Sequence, residues 1–182
     1  AKEEDAIVVT DVGQHQMWTA QYCNFQEPRS FITSGGLGTM GYGLPAAIGA
    51  QLAKPGKEVW MVSGDGSIMM NCQEIATASE YELPIKVVIL NNRGLGMVRQ
   101  WQRMFFGNRY SGSKHEKGTD FARLAEAMDA KGIKVEKRED LAKAITEAKN
   151  CPGPIFLDVR VEDDENVLPM VAPGATIDHM TE

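Results

Sequence analysis

Two stretches, VWMVSGDG at residues 59–66 and VVILNN at residues 87–92, begin with apolar runs and end in polar turns. Apolar runs without polar alternation are typical of strands in a parallel sheet that is covered on both sides. The 24 residues between Gly66 and Asn91 are enough for a helix and a returning strand. Because ligands bind at the carboxyl ends of such strands, we expect Asp65 and Asn92 to meet at one edge of the sheet.

The remainder of the chain repeats this alternation of strand and helix. It predicts an α/β fold, an open parallel sheet with helices on both faces, as a single domain over residues 1–161. Residues 162–182 are expected to form an irregular tail. Further strands are predicted at 7–9, 31–33 and 155–159, and helices at 44–53, 73–81, 97–106, 121–128 and 141–148.

Composition excludes several classes of partner. A net charge of −6 and a pI near 5.2 argue against nucleic acid and against an anionic membrane surface. No apolar run approaches the roughly 20 residues that span a bilayer, and the acidic start at residues 2–5 is unlike a signal peptide. Cys23, Cys72 and Cys151 are widely spaced, which predicts reduced thiols in a cytosolic type of compartment.

The densest glycine cluster, residues 35–43, permits two interpretations. Gly36, Gly38 and Gly41 match the G-x-G-x-x-G pattern of dinucleotide-binding domains, so an NAD-binding domain of the Rossmann type is one hypothesis. The preceding strand is short and polar, however, and Asp65 stands between two glycines in a turn better suited to a cation or phosphate. The glycines could also serve only close packing of helix and strand.

The turns after the two apolar runs carry ligands for a hard cation. Asp65 offers a carboxylate oxygen and Asn92 an amide oxygen, the types that Mg²⁺ or Ca²⁺ prefers. Gly66 lets a phosphate approach the backbone, and Ser67 is expected to begin a helix whose N-terminus attracts anions. The pair of turns is therefore suited to a divalent ion that bridges a diphosphate.

This GDG…NN arrangement resembles the metal and diphosphate motif of thiamine-diphosphate enzymes. Two further segments, residues 13–18 and 96–101, resemble the acetolactate (acetohydroxyacid) synthase large subunits, and the likeness extends over about residues 7–161. Arg93-Gly94 is a position where relatives vary, and only the Gly94 carbonyl is needed there. The resemblance identifies the chain as a member of this family, corresponding to its C-terminal thiamine-diphosphate-binding domain.

The resemblance implies roles for individual residues. The metal ligands would be the side chains of Asp65 and Asn92 and the carbonyl of Gly94. Gly38 and Met40 would act in catalysis by holding the cofactor in its bent form, and Met97, Val98 and Trp101 would line the substrate pocket. The expected cofactor-binding residues are Gln14, His15, Gly38, Met40, Gly64, Asp65, Gly66, Ser67, Asn92, Gly94, Leu95, Gly96 and Met97.

The family's activity would be a carboligation in valine, leucine and isoleucine biosynthesis. Pyruvate loses carbon dioxide on the cofactor, and the remaining two-carbon unit joins a second 2-keto acid, either pyruvate or 2-ketobutyrate. This chain would need the rest of the large subunit, an FAD-binding domain and a homodimer partner that supplies an activating glutamate, with a regulatory small subunit possible. Its location would be the bacterial cytoplasm or a eukaryotic organelle. Another thiamine-diphosphate decarboxylase or carboligase is the nearest alternative.

Overall fold

The computed structural model describes residues 6–172 and 174–181. Residues 1–5 of the predicted domain and residues 173 and 182 of the predicted tail lie outside the described residues.

Six parallel strands form the main sheet. In spatial order the strands run β2-β1-β3-β4-β6-β5. Their bounds are β1 Ile7–Thr10, β2 Phe31–Ile32, β3 Val59–Gly64, β4 Lys86–Asn91, β5 Lys131–Val135 and β6 Ile155–Arg160. Every pairing in this sheet is parallel. The predicted α/β class with an open parallel sheet is therefore confirmed.

Within residues 6–172 and 174–181, seven α-helices connect these strands. They are α1 Gln14–Tyr22, α2 Gly43–Ala53, α3 Asp65–Ile68, α4 Glu74–Glu80, α5 Gly96–Phe105, α6 Phe121–Glu126 and α7 Leu141–Lys149. The Asp120 side chain caps α6 by accepting a 3.0 Å hydrogen bond from the backbone N–H of Arg123. Asp140 occupies the corresponding position before α7 but makes no side-chain cap bond.

Two apolar clusters cover the two faces of the sheet. On one face Val9, Met61, Ile89 and Phe156 pack with residues of α2, α4 and α6. On the other, Ile155, Leu157 and Val159 pack with the alanines of α7. The central strands are buried on both sides, which explains their unbroken apolar sequences.

The strand β5 and the helix α1 were absent from the prediction. The strand β5 lies at the sheet edge, where Lys131 and Lys134 face solvent and only Val135 is fully buried. The charged run at residues 134–140 is therefore not a solvated surface throughout, because Val135 is buried. The helix α1 has almost no apolar periodicity, because its buried residues are Gln14, His15 and Thr19. Polar residues at buried positions concealed it.

The tail after β6 contains two short antiparallel strands, β7 Met170–Val171 and β8 Met180–Thr181. Its remaining described residues have no helix or strand. The segment before β7 returns to the body of the domain, where Val167 is fully buried.

Candidate functional site

The cleft at the carboxyl ends of β3 and β4 brings Asp65 and Asn92 together. Both strands end at the same edge of the sheet, with Gly64 paired to Leu90. Asp65 and Asn92 follow these two residues closely, and both line the same cleft. Each side chain is more than nine-tenths buried. The parallel register therefore delivers a carboxylate and an amide to one place.

Most residues predicted to bind the cofactor lie in this cleft. Those lining it are Gln14, His15, Met40, Gly64, Asp65, Gly66, Ser67, Asn92, Gly94, Leu95, Gly96 and Met97. Val98 lines it as well, whereas Gly38 and Trp101 are not among the lining residues. Val12, Trp18 and Val161 line it without having been predicted to do so.

The glycine-rich segment is anchored by Asp11, which the sequence analysis missed. The carboxylate of Asp11 accepts hydrogen bonds from the backbone N–H groups of Gly41, at 2.8 Å, and Gly43, at 3.3 Å. Burial raises the pKa of Asp11, and these N–H groups together with that of Val12 act in the opposite direction. Asp11 directly follows β1, so its position at the end of a strand was the available signal.

Gly38 itself lies on the exposed side of this segment in the left-handed region, at φ +63°. A Cβ built there would meet only Val12 Cγ1, at 3.9 Å. Val12 lines the cleft, so Gly38 is a neighbour of one residue of the cleft wall. The conformation itself favours glycine at this position.

Asp65 has an unpredicted neighbour in His115. The distance from His115 Nδ1 to Asp65 Oδ2 is 3.1 Å. Burial raises the pKa of Asp65, while the hydrogen bond and charge of His115 and the backbone of Gly94 lower it. His115 lies in a polar segment without apolar periodicity, so nothing in the sequence connected it with residue 65.

Asn92 is part of a chain of side-chain amides. Its Nδ2 lies 3.4 Å from Gln14 Oε1, and Gln14 Nε2 donates to Gln100 Oε1 at 2.9 Å. Gln14 Nε2 also donates to the carbonyl of Glu165 at 2.8 Å. The amide of Gln14 therefore supports Asn92 from within the protein, and Gln14 also lines the cleft. Gln100 was not predicted.

Gln100 joins the tail to this chain of amides. Its Nε2 donates to the carbonyl of Val167 and its Oε1 accepts from the N–H of Val167, both at 2.9 Å. These two hydrogen bonds resemble those between paired strands, and they hold the tail beside α5. Arg99 adds an ion pair to Asp164 at 3.4 Å.

His15 is enclosed between two glycines. A Cβ at Gly13 or at Gly64 would come within 2.9 Å of the imidazole ring. Burial lowers the pKa of His15 to about 3, against a backbone hydrogen bond involving Asp11 that raises it. Its Nε2 is buried without a hydrogen-bond partner, although His15 lines the cleft. A buried nitrogen of this kind requires a partner from a ligand or water.

Two further glycines beside the cleft, one in α3 and one at the start of α5, lie where an added side chain would collide with a neighbour. A Cβ at Gly66 would lie 2.4 Å from Leu95 Cδ2, and one at Gly96 would lie 2.0 Å from Gln14 Oε1. Ser67 donates its hydroxyl to the carbonyl of Val12 at 2.6 Å. The helix α3 begins at Asp65 rather than at Ser67 and is only one turn long.

The three residues predicted for the substrate pocket share a second, more open hollow. Met97, Val98 and Trp101 line it together with Gln102, Phe106 and Arg109. Met97 and Val98 also line the first cleft, so the two spaces adjoin. Val98 and Trp101 are 45% and 42% exposed, and Trp101 meets Phe105 edge to face.

The cleft offers a hard-cation donor set at its floor and an apolar wall along α5. Within residues 6–172 and 174–181, no group of three or more His, Cys, Asp or Glu side chains is arranged as a metal site. A site with one carboxylate, one amide and a backbone carbonyl differs from such clusters and suits Mg²⁺. None of the described helices is both long and apolar enough to cross a membrane.

Comparison with known proteins agrees with this geometry. The family model for the thiamine pyrophosphate enzyme C-terminal TPP binding domain matches residues 11–159. The acetolactate synthase large subunit of Porphyra purpurea is 53% identical over 172 residues, which are 94% of this chain and 29% of that protein. The isozyme 2 large subunit of Escherichia coli K12 is 49% identical over 181 residues, 100% of this chain and 33% of that protein.

A third relative is the mitochondrial acetolactate synthase catalytic subunit of Saccharomyces cerevisiae. It is 51% identical over 172 residues, 94% of this chain and 25% of that protein. The chain thus spans about a third or less of the length of these relatives. By its sequence, its parallel sheet and the match over residues 11–159, the chain belongs to the thiamine pyrophosphate enzyme family as its C-terminal TPP binding domain, of the kind found in acetolactate synthase large subunits.

Proposed function

We propose that this domain binds thiamine diphosphate through Mg²⁺ and is the cofactor-binding part of an acetolactate synthase. The observation that carries the proposal is the meeting of Asp65 and Asn92 in one cleft at the ends of adjacent parallel strands. The sequence identity of 53% and 49% to two acetolactate synthase large subunits supports the assignment to the acetolactate synthase reaction.

The metal would be held by Asp65 and Asn92 through side-chain oxygens and by Gly94 through its carbonyl. Oxygen ligands of this kind fit Mg²⁺, which keeps further positions for phosphate oxygens. Gln14 supports this assignment because it engages the Asn92 Nδ2, which leaves the amide oxygen for the ion.

The diphosphate would lie over the turns at Gly64, Gly66 and Gly96, where a side chain would collide with the floor of the cleft. His15 Nε2, buried and without a partner, would donate a hydrogen bond to a diphosphate oxygen in the tautomer that carries its proton there. When bound, thiamine diphosphate supplies the nucleophilic carbon that attacks a 2-keto acid and the electron sink that permits loss of carbon dioxide. Ser67, Leu95 and Met97 would complete the walls around it.

Two residues of the glycine-rich segment would position the reacting part of the cofactor. We assign to the Gly38 carbonyl a hydrogen bond with the cofactor's amino group, and to Met40 an apolar contact that maintains the bend. Met40 lines the cleft, which supports its role. The bonds from Asp11 hold this segment in register with β1.

The substrates would be pyruvate and, as second 2-keto acid, pyruvate or 2-ketobutyrate. Met97 and Val98 connect the cofactor cleft to the hollow beside Trp101. The large apolar side chain of Trp101 would favour the longer of the two 2-keto acids that compete as second substrate. The products would enter valine, leucine and isoleucine biosynthesis.

Activity would require parts beyond this domain. The exposed apolar side chains of Val98, Trp101, Phe105 and Phe106 on and next to α5 are suited to contact with the rest of the large subunit or with a homodimer partner. FAD would bind elsewhere in the complete enzyme, and a small regulatory subunit would be a further partner. The setting would be the cytoplasm of a bacterium or an organelle of a eukaryote.

Calorimetric titration of thiamine diphosphate into the protein tests this proposal, first with Mg²⁺ and then with EDTA. We expect heat of binding only with Mg²⁺, and its loss in Asp65→Asn, which keeps the size of the side chain. Asp178→Asn, at an exposed position in the tail, is the matched control and should bind as the original protein does.

Binding of NAD without a metal requirement would overturn the proposal in favour of a Rossmann-type domain. The position of the glycine cluster does not favour that alternative, because the cluster follows β2, a two-residue strand at the edge of the sheet. In a dinucleotide-binding fold the glycine turn follows a central strand. Another thiamine-diphosphate decarboxylase or carboligase would bind the cofactor equally but would not form acetolactate.

A further inference from the structure

His115 lies beside Asp65, the carboxylate that is proposed above as a metal ligand. Its Nδ1 lies 3.1 Å from Asp65 Oδ2, and its side chain is 40% exposed while that of Asp65 is 4% exposed. A Cβ at Gly66 would lie 3.8 Å from His115 Cε1, so the ring borders the GDG turn. The imidazole therefore lies next to Asp65 and Gly66, two residues that line the cleft.

The backbone around His115 is bonded to the loop that carries the other expected ligands. The N–H of His115 donates to the carbonyl of Arg93 at 2.8 Å, and the N–H of Leu95 donates to the carbonyl of Ser113 at 2.9 Å. Gly94 and Lys114 form an antiparallel bridge between these bonds. A Cβ at Gly94 would lie 2.4 Å from the carbonyl oxygen of Ser113. Glycine at position 94 thus permits the segment 113–115 to approach.

We propose that His115 Nδ1 is a further ligand of the divalent ion, which it shares with Asp65. The proposal rests on the metal site proposed above. Adjacent ligands of an octahedral ion with bonds of about 2.1 Å are separated by about 3.0 Å. The 3.1 Å between His115 Nδ1 and Asp65 Oδ2 matches that edge. Asp65, Asn92 and Gly94 would hold the ion through oxygens, and His115 would hold it through Nδ1.

An imidazole in the ligand set changes which ion the site prefers. Mg²⁺ favours oxygen ligands, whereas Mn²⁺ and Co²⁺ accept an imidazole nitrogen readily. The site would therefore favour Mn²⁺ over Mg²⁺ more strongly than the same site without His115. Without this role, the contact is only a hydrogen bond between the imidazole and the carboxylate.

Pulsed electron paramagnetic resonance of bound Mn²⁺ tests the proposal, on the protein with saturating thiamine diphosphate. We expect modulation from a directly bonded imidazole nitrogen, and its loss in His115→Asn. Calorimetry should show the ratio of Mn²⁺ to Mg²⁺ affinity reduced about tenfold or more in that variant. His179→Asn, which removes an exposed histidine of the tail, should change neither measurement.

Each of the remaining outcomes excludes His115 as a ligand, and the last one also excludes the proposed function. If Mn²⁺ binds and Asp65→Asn weakens its binding, but no imidazole nitrogen couples to it, His115 is not a ligand and the proposed function stands. The same conclusion follows if His115→Asn leaves the nitrogen signal in place, since His15 would then be its source. If Mn²⁺ does not bind at all, both the ligand assignment and the proposed function are overturned.

Discussion

Asn92 is oriented by Gln14, since the amide nitrogen of Asn92 lies 3.4 Å from the side-chain oxygen of Gln14. The orientation of Gln14 is itself determined, because its nitrogen donates to the carbonyl of Glu165, which can only accept. The group of Asn92 that faces Gln14 must then be the donor. The oxygen of Asn92 is consequently left for a cation.

Replacing Gln14 by methionine should weaken metal-dependent cofactor binding. The change removes the oxygen that orients Asn92 and both bonds donated to Gln100 and Glu165. We expect the affinity for thiamine diphosphate with Mg²⁺ to fall roughly tenfold, and the free energy of unfolding to fall by about 1–3 kcal/mol. Calorimetry and urea unfolding measure the two effects.

The matched control is Gln16→Met, two residues along the same helix. Gln16 bonds to Thr33 and to the carbonyl of Ser34, away from Asn92. This variant should keep the cofactor affinity. Equal losses of affinity in both variants would show that α1 as a whole, rather than the orientation of Asn92, determines binding.

Asp11→Ala should loosen the glycine-rich segment. Gly41 and Gly43 would lose the carboxylate that accepts their N–H groups, and both glycines are buried. We expect unfolding free energy to fall by about 1–3 kcal/mol and the amide of Gly41 to exchange its hydrogen faster. Urea unfolding and hydrogen exchange check this.

A control for Asp11 is Asp120→Ala, which removes one exposed cap bond at α6. It should cost about 1 kcal/mol without changing exchange at Gly41. Faster exchange at Gly41 in the Asp120 variant, or unchanged exchange in the Asp11 variant, would contradict the anchoring role.

The sequence was sufficient for the parts of the fold that depend on apolar periodicity. The strands β3, β4 and β6 and the helices α2, α5 and α7 follow directly from such runs. It was insufficient where burial is polar: α1 buries Gln14 and His15, so its helical pattern is hidden. The edge strand β5 was missed because charged residues alternate there with few apolar ones.

The same division applies to the candidate site. Asp65 and Asn92 could be placed together because strand order alone brings their turns to one edge. The roles of Asp11, Gln100 and His115 depend on contacts between segments far apart in the chain, such as the 50 residues separating His115 from Asp65. No local sequence pattern predicts such a contact.

His15 should make stability depend on pH. Its folded pKa is about 3 and the ordinary value is 6.5, so between these values the unfolded chain binds a proton that the folded chain does not. The contribution of His15 to the free energy of unfolding is therefore fully present above pH 6.5. Below pH 6.5 this contribution is lost, by up to about 1.4 kcal/mol per pH unit.

Urea unfolding of the protein and of His15→Asn between pH about 7.5 and about 5 measures this dependence. The variant lacks the group, so the difference in stability between the two proteins should shrink as pH falls. Groups present in both, including Asp11 and Asp65, cancel in that difference. His179→Asn should follow the original protein, and a His15→Asn difference that stays constant with pH would contradict the prediction.

Gly96→Ala and Gly49→Ala should have opposite effects, although each adds one methyl group to a helix. At Gly96 the new Cβ would lie 2.0 Å from Gln14 Oε1 and 2.6 Å from Asn92 Nδ2, so it would separate the two amides. At Gly49, inside α2, it would meet nothing within 4 Å. We expect Gly49→Ala to raise the free energy of unfolding by about 0.5–1 kcal/mol and Gly96→Ala to lower it by about 1–3 kcal/mol. Cofactor titration distinguishes an effect on the site from an effect on the fold. Gly96→Ala should lose Mg²⁺-dependent binding, and Gly49→Ala should keep it. Retained binding in Gly96→Ala would mean that the orientation of Asn92 does not depend on Gln14.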